Sequence, residues 1–424
     1  MSQSFSFIHA ADLHLDTPFT GMGSLPQKLR ERVLHSTFVA YENLIQLCIE
    51  RNVDFLLLAG DIYDASDRSL RAQIYFREGL EKLARHGIQV YLVHGNHDPL
   101  DRKELSLSLP VNTHVFPPGQ VASYGYERDG KELARIYGVS YPRSQVKESY
   151  LPAFKREEGD FFAIGLLHTN VDGNSAHDNY APVARAELIH QGFDYWALGH
   201  IHQKNIIHNE EPVILYPGNI QGRNVKETSE RGCYFVKVQD KKVRELSFCA
   251  TDCLRWYQEE VHVSDCEQIQ ESLDLLEAKK EEVRIQAGGR GALVRFHLTG
   301  RTSLHPFFHD EKNLADIQEM LRRQEEERDD FVWIDSFAVG TRPLLQLEQL
   351  AEEETLPGDF YQLSQEYRNM EKVHRVRKDV LTPLLDHYLL RVYFRTLSDE
   401  EILEWIEEAE TLGLDLLVSG EDGK

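Results

Sequence analysis

The chain has 424 residues, 41% hydrophobic and 28% charged, with a formal net charge of −23. That length suits two or three globular domains, and the acidic balance argues against a general nucleic-acid coat protein, which would be basic. No apolar run approaches the roughly 20 residues of a membrane span, the opening Met1-Ser2-Gln3-Ser4-Phe5 lacks the pattern of a secretory signal, and the five scattered cysteines form no CxxC pair, so free thiols and a cytoplasmic location are expected.

Residues 4–10 read as a first strand that ends in Ala11-Asp12-Leu13-His14. The Asp-x-His spacing puts a carboxylate and an imidazole on one side of an extended segment, which suits a first pair of metal ligands. A helix is expected over 26–52, with Leu29, Val33, Phe38, Leu44 and Leu47 facing inward. Residues 54–59 form a continuous apolar run, as in a strand covered on both faces. It ends in Gly60-Asp61-Ile62-Tyr63-Asp64. There Gly60 admits close backbone approach, Asp61 can bridge two cations, and Asp64 can orient a histidine.

A second helix is expected over 69–86, then a strand over 89–93 that stops at Gly95-Asn96-His97-Asp98. Polar groups at the end of a buried strand occupy the place where layered α/β sheets keep their ligands. Further strands are expected over 133–139 and over 161–167, the latter ending in His168. A short apolar run over 195–198 ends in Gly199-His200-Ile201-His202, two histidines spaced to face one cluster. A strand over 213–216 and a hairpin over 234–248 close a first domain near residue 250. His9, His35, His94, His114, His190 and His208 read as core-edge or surface residues, and His177, in a polar loop after His168, as a candidate for touching substrate.

Taken together, Asp12-x-His14, Gly60-Asp61-x-x-Asp64, Gly95-Asn96-His97-Asp98, His168 and Gly199-His200-x-His202 resemble, in order, the five motifs of the calcineurin-like metallophosphoesterases. Gly-Asn-His-Asp, and Ala65-Ser66 after Asp64, point away from the Ser/Thr protein phosphatases. The segments His9-Ala10-Ala11-Asp12-Leu13-His14-Leu15-Asp16 and Tyr216-Pro217-Gly218-Asn219-Ile220-Gln221-Gly222 resemble the SbcD-like DNA-repair nucleases. The resemblance implies a layered α/β sandwich and two divalent metal ions, usually manganese, with iron or zinc compatible with the same donors. One metal would be held by Asp12, His14, Asp61 and His202, the other by Asp61, Asn96, His168 and His200. His97 would protonate the leaving oxygen, and Asp64 would orient it; some relatives carry His where Asp64 stands.

The rest of the chain differs in composition. Helices expected over 265–286 and 310–325 and strands over 292–298 and 331–339 make a small α-β-α-β unit, a capping domain over 251–340 by the same resemblance. Arg290, Arg295 and Arg301 are candidates for phosphate contacts. Residues 341–424 read as polar helices with an apolar stripe through Leu344, Leu345, Leu347, Leu350, Val380, Leu381, Leu384, Leu385 and Leu389. Such a stripe docks on a partner or on the chain itself. The resemblance implies a metal-dependent DNA exonuclease, with an SbcC-like, SMC-type ATPase as partner, and a homodimer is compatible with it. The alternatives are a phosphatase or cyclic phosphodiesterase on small substrates, and a non-catalytic scaffold on the same fold.

Overall fold

The computed structural model describes residues 4–17, 19, 25–64, 69–100, 107–173, 181–344, 347–352, 354–378 and 398–419. His177, Ala65, Ser66 and the apolar positions from Val380 to Leu389 lie outside these residues.

The first half of the chain alternates strands and helices: β1 (Ser4–Ala10), α1 (Gln27–Glu50), β2 (Phe55–Ala59), α2 (Leu70–Arg85), β3 (Gln89–Val93) and β4 (Thr113–Val115). It continues through β5 (Ala122–Arg128), β6 (Lys131–Gly138), β7 (Phe162–His168), α3 (Arg185–His190), β8 (Tyr195–Gly199), β9 (Asn205–His208), β10 (Val213–Tyr216), β11 (Gly232–Gln239) and β12 (Lys242–Ala250). These strands build two six-stranded sheets, in the orders β12-β11-β1-β2-β3-β4 and β5-β6-β7-β8-β10-β9. β1, β2 and β3 run parallel in the first sheet, as do β6, β7 and β8 in the second. The fold is therefore the layered α/β sandwich that the motif order implied.

Strand periodicity sorts the side chains between layers. Phe5, Phe7, Phe55, Leu57, Tyr91 and Val93 from the first sheet meet Ile136, Phe162, Ile164 and Tyr195 from the second in one buried cluster. The alternate residues Ile8, Leu56, Leu58, Val90 and Leu92 face away and pack with Phe38, Tyr41 and Leu44 of α1 and Phe76 and Leu80 of α2. The outer face of the second sheet buries Trp196, Leu198 and Ile214 against Leu188 of α3. Phe7 and Phe55 stack with centroids 5.1 Å apart, a pair contributing about 0.5–1.5 kcal/mol beyond the area it buries. α2 starts cleanly because Ser69 accepts from Ala72 N at 3.0 Å, a cap contributing about 1 kcal/mol.

The segments over 251–344 contain β13 (Leu254–His262), α4 (Ile269–Ala287), β14 (Gly291–Arg301), α5 (His305–Phe308), α6 (Glu311–Arg322) and β15 (Val332–Arg342). β13, β14 and β15 form a third sheet in that order. The expected α-β-α-β unit thus gains a leading strand. Leu254 and Trp256 are buried on one side of β13, but Gln258 and Glu260, further along the same side, are exposed, and this break in the apolar rhythm obscures the strand pattern. The C-terminal helices are α7 (Leu347–Glu352), α8 (Leu356–Glu366), α9 (Met370–Val376) and α10 (Asp399–Ser419).

The chain divides into two compact units: Met1–Glu259 with Leu276–Phe296 and Asp316–Phe337, and Glu260–Leu275 with His297–Ala315 and Ala338–Lys424. In the first, Arg284 is held at 2.7 Å by Glu325 Oε1, and Glu325 Oε2 accepts from Val332 N at 2.7 Å. A buried carboxylate survives there because both of its oxygens are satisfied. In the second, Glu410 of α10 accepts from Ser364, Gln365 and Arg368 of the α8 region.

Candidate metal centre

The candidate residues gather where parallel strands end. β1 delivers Asp12 and His14, β2 delivers Asp61 and Asp64, β3 delivers Asn96 and His97, β7 ends on His168, and β8 is followed by His200 and His202. Backbone bonds from Asp12 N to Gly60 O (3.1 Å) and from His14 N to Asp61 O (3.0 Å) lash the first two loops together. The second sheet joins through His168 Nδ1, 2.9 Å from Ala59 O, and through His200 N, which donates to Asp12 at 3.1 Å. Asp98 closes the β3 turn: its oxygens accept from Gly95 N at 2.8 Å and Ile62 N at 3.0 Å. It also lies 2.9 Å from His94 Nδ1, which gives His94 a structural partner.

Four of the candidate ligands sit in left-handed backbone: Asp12 (φ 51°), His14 (44°), Asp61 (51°) and His200 (106°). Such conformations are disfavoured for residues with a Cβ and collect at functional sites. Gly60 and Gly95 make the close approach possible. A Cβ on Gly60, itself at φ +96°, would stand 2.3 Å from His168 Nδ1, and one on Gly95 would stand 2.2 Å from Asp61 Oδ1.

The imidazoles show what the centre is built to hold. His14 Nδ1 lies 2.9 Å from Asp64 Oδ1, and His202 Nδ1 lies 2.8 Å from Glu227 Oε1. Carboxylates accept only, so both Nδ1 atoms carry the proton, and both Nε2 atoms present lone pairs. Yet these Nε2 atoms face each other at 3.1 Å. Arg223 Nη2 is also 3.1 Å from His202 Nδ1, but the shorter Glu227 contact assigns the tautomer. His168 repeats the pattern: with Nδ1 on Ala59 O, its Nε2 lies 2.9 Å from Asn96 Oδ1 and 3.4 Å from Asp61 Oδ2. Lone pairs converging on carboxylates and an amide oxygen require positive charge between them. Donor atoms of Asp12, His14 and His202 lie within 4.8 Å of one another, as do those of Asp12, Asp61 and His168. Two overlapping donor groups of imidazole, carboxylate and amide oxygen fit two divalent cations.

The charge balance agrees. Burial pushes Asp12 up to about 6, against the pull of His168 and His202. Burial also works to raise Asp61, but His168, His14 and His97 hold it well below the usual carboxylate range. Burial, with Arg223 nearby, brings His14 down to about 4. His168 goes the other way, to about 9: burial opposes its charge, but Asp61 and Asp12 outweigh it.

His97 stands at the rim, its side chain 45% exposed, with Nδ1 2.8 Å from Asp64 Oδ1. That contact raises its pKa. Asp64 also accepts from Thr17 Oγ1. His200 is buried with its ring 5.2 Å from that of His168. Three participants escaped the sequence reading. Glu227 fixes His202 and accepts from Asn219 Nδ2 at 2.9 Å. Arg223 Nη1 lies 3.6 Å from Asp64 Oδ2, and Thr17 bonds the same carboxylate. Glu227 follows His202 by 25 residues, a separation without any periodic signal. His9 is a core residue: its nitrogens lie 3.1 Å from Tyr195 Oη and Leu198 O, and burial brings its pKa down to about 3.

The three arginine candidates are engaged elsewhere. Arg290 pairs with Asp252 at 2.9 Å, Arg295 Nε donates to Ser336 Oγ at 2.8 Å, and Arg301 Nη1 donates to Pro343 O at 3.2 Å.

A sandwich of two mixed sheets with His, Asp and Asn at its strand ends defines a metallophosphoesterase, and the chain belongs to the calcineurin-like metallophosphoesterase family. The calcineurin-like phosphoesterase profile matches residues 5–204, and the middle-domain profile of metallophosphoesterase YhaO matches residues 256–342. The uncharacterized metallophosphoesterase YhaO of Bacillus subtilis is 32% identical over 412 residues, covering 97% of this chain and 98% of that protein. The DNA double-strand break repair protein Mre11 of Thermoplasma acidophilum is 25% identical over 257 residues, covering 58% of this chain and 64% of that protein. Its counterpart in Aeropyrum pernix is 26% identical over 241 residues, 53% of this chain and 56% of that protein. Among the described residues, no helix is long and apolar enough to cross a membrane.

Proposed function

We propose that the chain is a two-metal phosphodiesterase that hydrolyses DNA, a cytoplasmic exonuclease working with an SbcC-like, SMC-type ATPase. The observation that carries the hydrolytic part is the set of inward lone pairs on His14, His202 and His168 around Asp12, Asp61 and Asn96. In this reading Asp12, His14, Asp61 and His202 hold one cation, and Asp61, Asn96, His168 and His200 the other, with manganese as the working metal. Bound there, two such ions supply Lewis acidity to a phosphate ester and acidify an attacking water.

The chain's own residues do the rest. Asp64 anchors His97 through Nδ1, which leaves Nε2 as the nitrogen that carries a proton to the leaving oxygen. General-acid help of this kind contributes about 10²–10⁴ in rate. Arg223, beside Asp64, adds positive charge where phosphate oxygens gather. The DNA assignment draws on the likeness to the two DNA double-strand break repair proteins, each matched over part of its length. The YhaO middle-domain match over residues 256–342 supports a separate region there; this reading takes 251–340 as a capping domain and adds partner-binding helices over 341–424. A homodimer belongs to the same reading.

The test is direct. Purified protein with manganese is given labelled duplex, single-stranded DNA, bis(p-nitrophenyl) phosphate, a phosphomonoester and a cyclic diester, with and without chelator, beside Asp61→Ala. Chelator-sensitive loss of DNA ends, absent in the variant, is expected. Cleavage of phosphomonoesters or cyclic diesters alone selects the small-substrate reading. No hydrolysis with any divalent metal rejects the enzyme.

A further inference from the structure

Residues 202–204, 224 and 226–231 line a cavity of about 560 Å³ that opens beside the candidate metal centre. Its position is set by contacts with the centre itself. Glu227 on one wall lies 2.8 Å from His202 Nδ1. Arg231 on another donates to His202 O, and Arg223, which begins the loop, reaches Asp64. The volume falls within the roughly 300–1,000 Å³ of small-ligand sites. The lining differs from the usual apolar one, because every residue facing the space is polar or charged.

The charges are unequally committed. Glu227 is taken up by His202, Asn219 and the Arg223 backbone. Arg231 donates to Asn219 Oδ1 at 3.1 Å and Thr228 O at 2.7 Å. Lys204 lies 3.5 Å from Glu230, with its ammonium 4.0 Å above the Phe248 ring. Lys226 is exposed and makes no ion pair among the described residues.

We propose that this cavity is the subsite for the nucleotide next to the scissile bond, and that Lys226, with Lys204 lining the same cavity, binds that nucleotide's phosphate. The inference rests on the phosphodiesterase reading above and adds what the enzyme holds besides the reacting phosphate. A simple monoester has nothing to place there, whereas a sugar-phosphate unit matches the size, the polarity and the uncommitted cation. A lysine acts on such a phosphate as a point charge that positions the strand without reading its sequence.

Two measurements test this, one free of metal. With chelator present, binding of a labelled oligothymidylate is followed by fluorescence anisotropy across a salt series. Lys226→Glu should weaken binding at least fivefold, and Lys226→Ala should lower the slope of log affinity against log salt by about 0.7. With manganese, hydrolysis of a 5′-phosphorylated thymidine dinucleotide is compared with that of bis(p-nitrophenyl) phosphate. The kcat/KM ratio of the two should fall about tenfold in Lys226→Glu, through KM for the dinucleotide. A wild type that hydrolyses both esters, with a ratio and a salt slope indifferent to Lys226, overturns the subsite alone. A wild type that hydrolyses neither overturns the phosphodiesterase reading and the subsite with it.

Discussion

One oxygen of Asp64 serves two imidazoles, His14 at 2.9 Å and His97 at 2.8 Å. The first ring points into the donor cluster and the second stands at the rim, so a single carboxylate aligns a candidate ligand and a candidate proton donor. His97→Ala removes only the second. It should retain two equivalents of metal by elemental analysis, yet slow DNA cleavage by about 10²-fold or more. The loss should shrink on an ester that releases nitrophenolate, which departs without protonation; equal losses would assign His97 a purely electrostatic role. Glu227 makes the complementary case. Glu227→Gln keeps an oxygen for His202 but removes the charge that makes the imidazole a better donor. Metal affinity should fall about tenfold or more, read by chelator competition, with the melting temperature of the metal-free protein nearly unchanged. Unaltered affinity would show that Glu227 only packs the loop.

The strand ends decide where these atoms stand. Because β2 and β7 finish side by side, the backbone at Ala59 meets His168, and only a residue without a Cβ fits at Gly60 or Gly95. Gly95→Ala drives a methyl into the space of Asp61 Oδ1 and the His168 ring. It should lower bound metal and abolish hydrolysis, while the far-ultraviolet circular dichroism stays that of the folded protein. Normal metal content would mean that the β3 turn has slack the contacts deny. These ends were legible in the sequence because each apolar run stopped abruptly at a ligand-capable residue, and side-chain alternation then separated Leu56 and Leu58 from Phe55 and Leu57. The edge strands were not. β4 is short, β5 carries exposed Gly125, Glu127 and Arg128, and β9 opens with exposed Asn205 and Ile206, so none shows a two-residue rhythm. The left-handed backbone at Asp12, His14, Asp61 and His200 was equally silent, since aspartate and histidine carry no glycine-like mark of it.

At the scale of the whole chain, the question is what residues beyond β15 contribute. Their helices include no group of the candidate metal centre, and their side chains are highly charged. α8 and α10 pack through Phe360 against Gly413 and through Glu410. Leu356 (69% exposed), Leu363 (53%), Leu412 (56%) and Leu416 (69%) remain largely open. Exposed leucines on paired helices are what a coiled-coil partner can cover. The third sheet sets where a cut must fall: β15 runs to Arg342, and Pro343 O accepts from Arg301, so the chain should end after Leu344. That truncation should leave manganese binding and hydrolysis of bis(p-nitrophenyl) phosphate within about threefold of the full chain. Co-purification with the proposed ATPase, and ATP-dependent loss of long duplex, should disappear. Loss of the generic phosphodiesterase activity together with the thermal transition would instead make the helices part of the catalytic unit's own core. A full-length chain that captures no such ATPase, but still degrades DNA with manganese, would leave a nuclease that works alone, with its C-terminal helices serving some other contact.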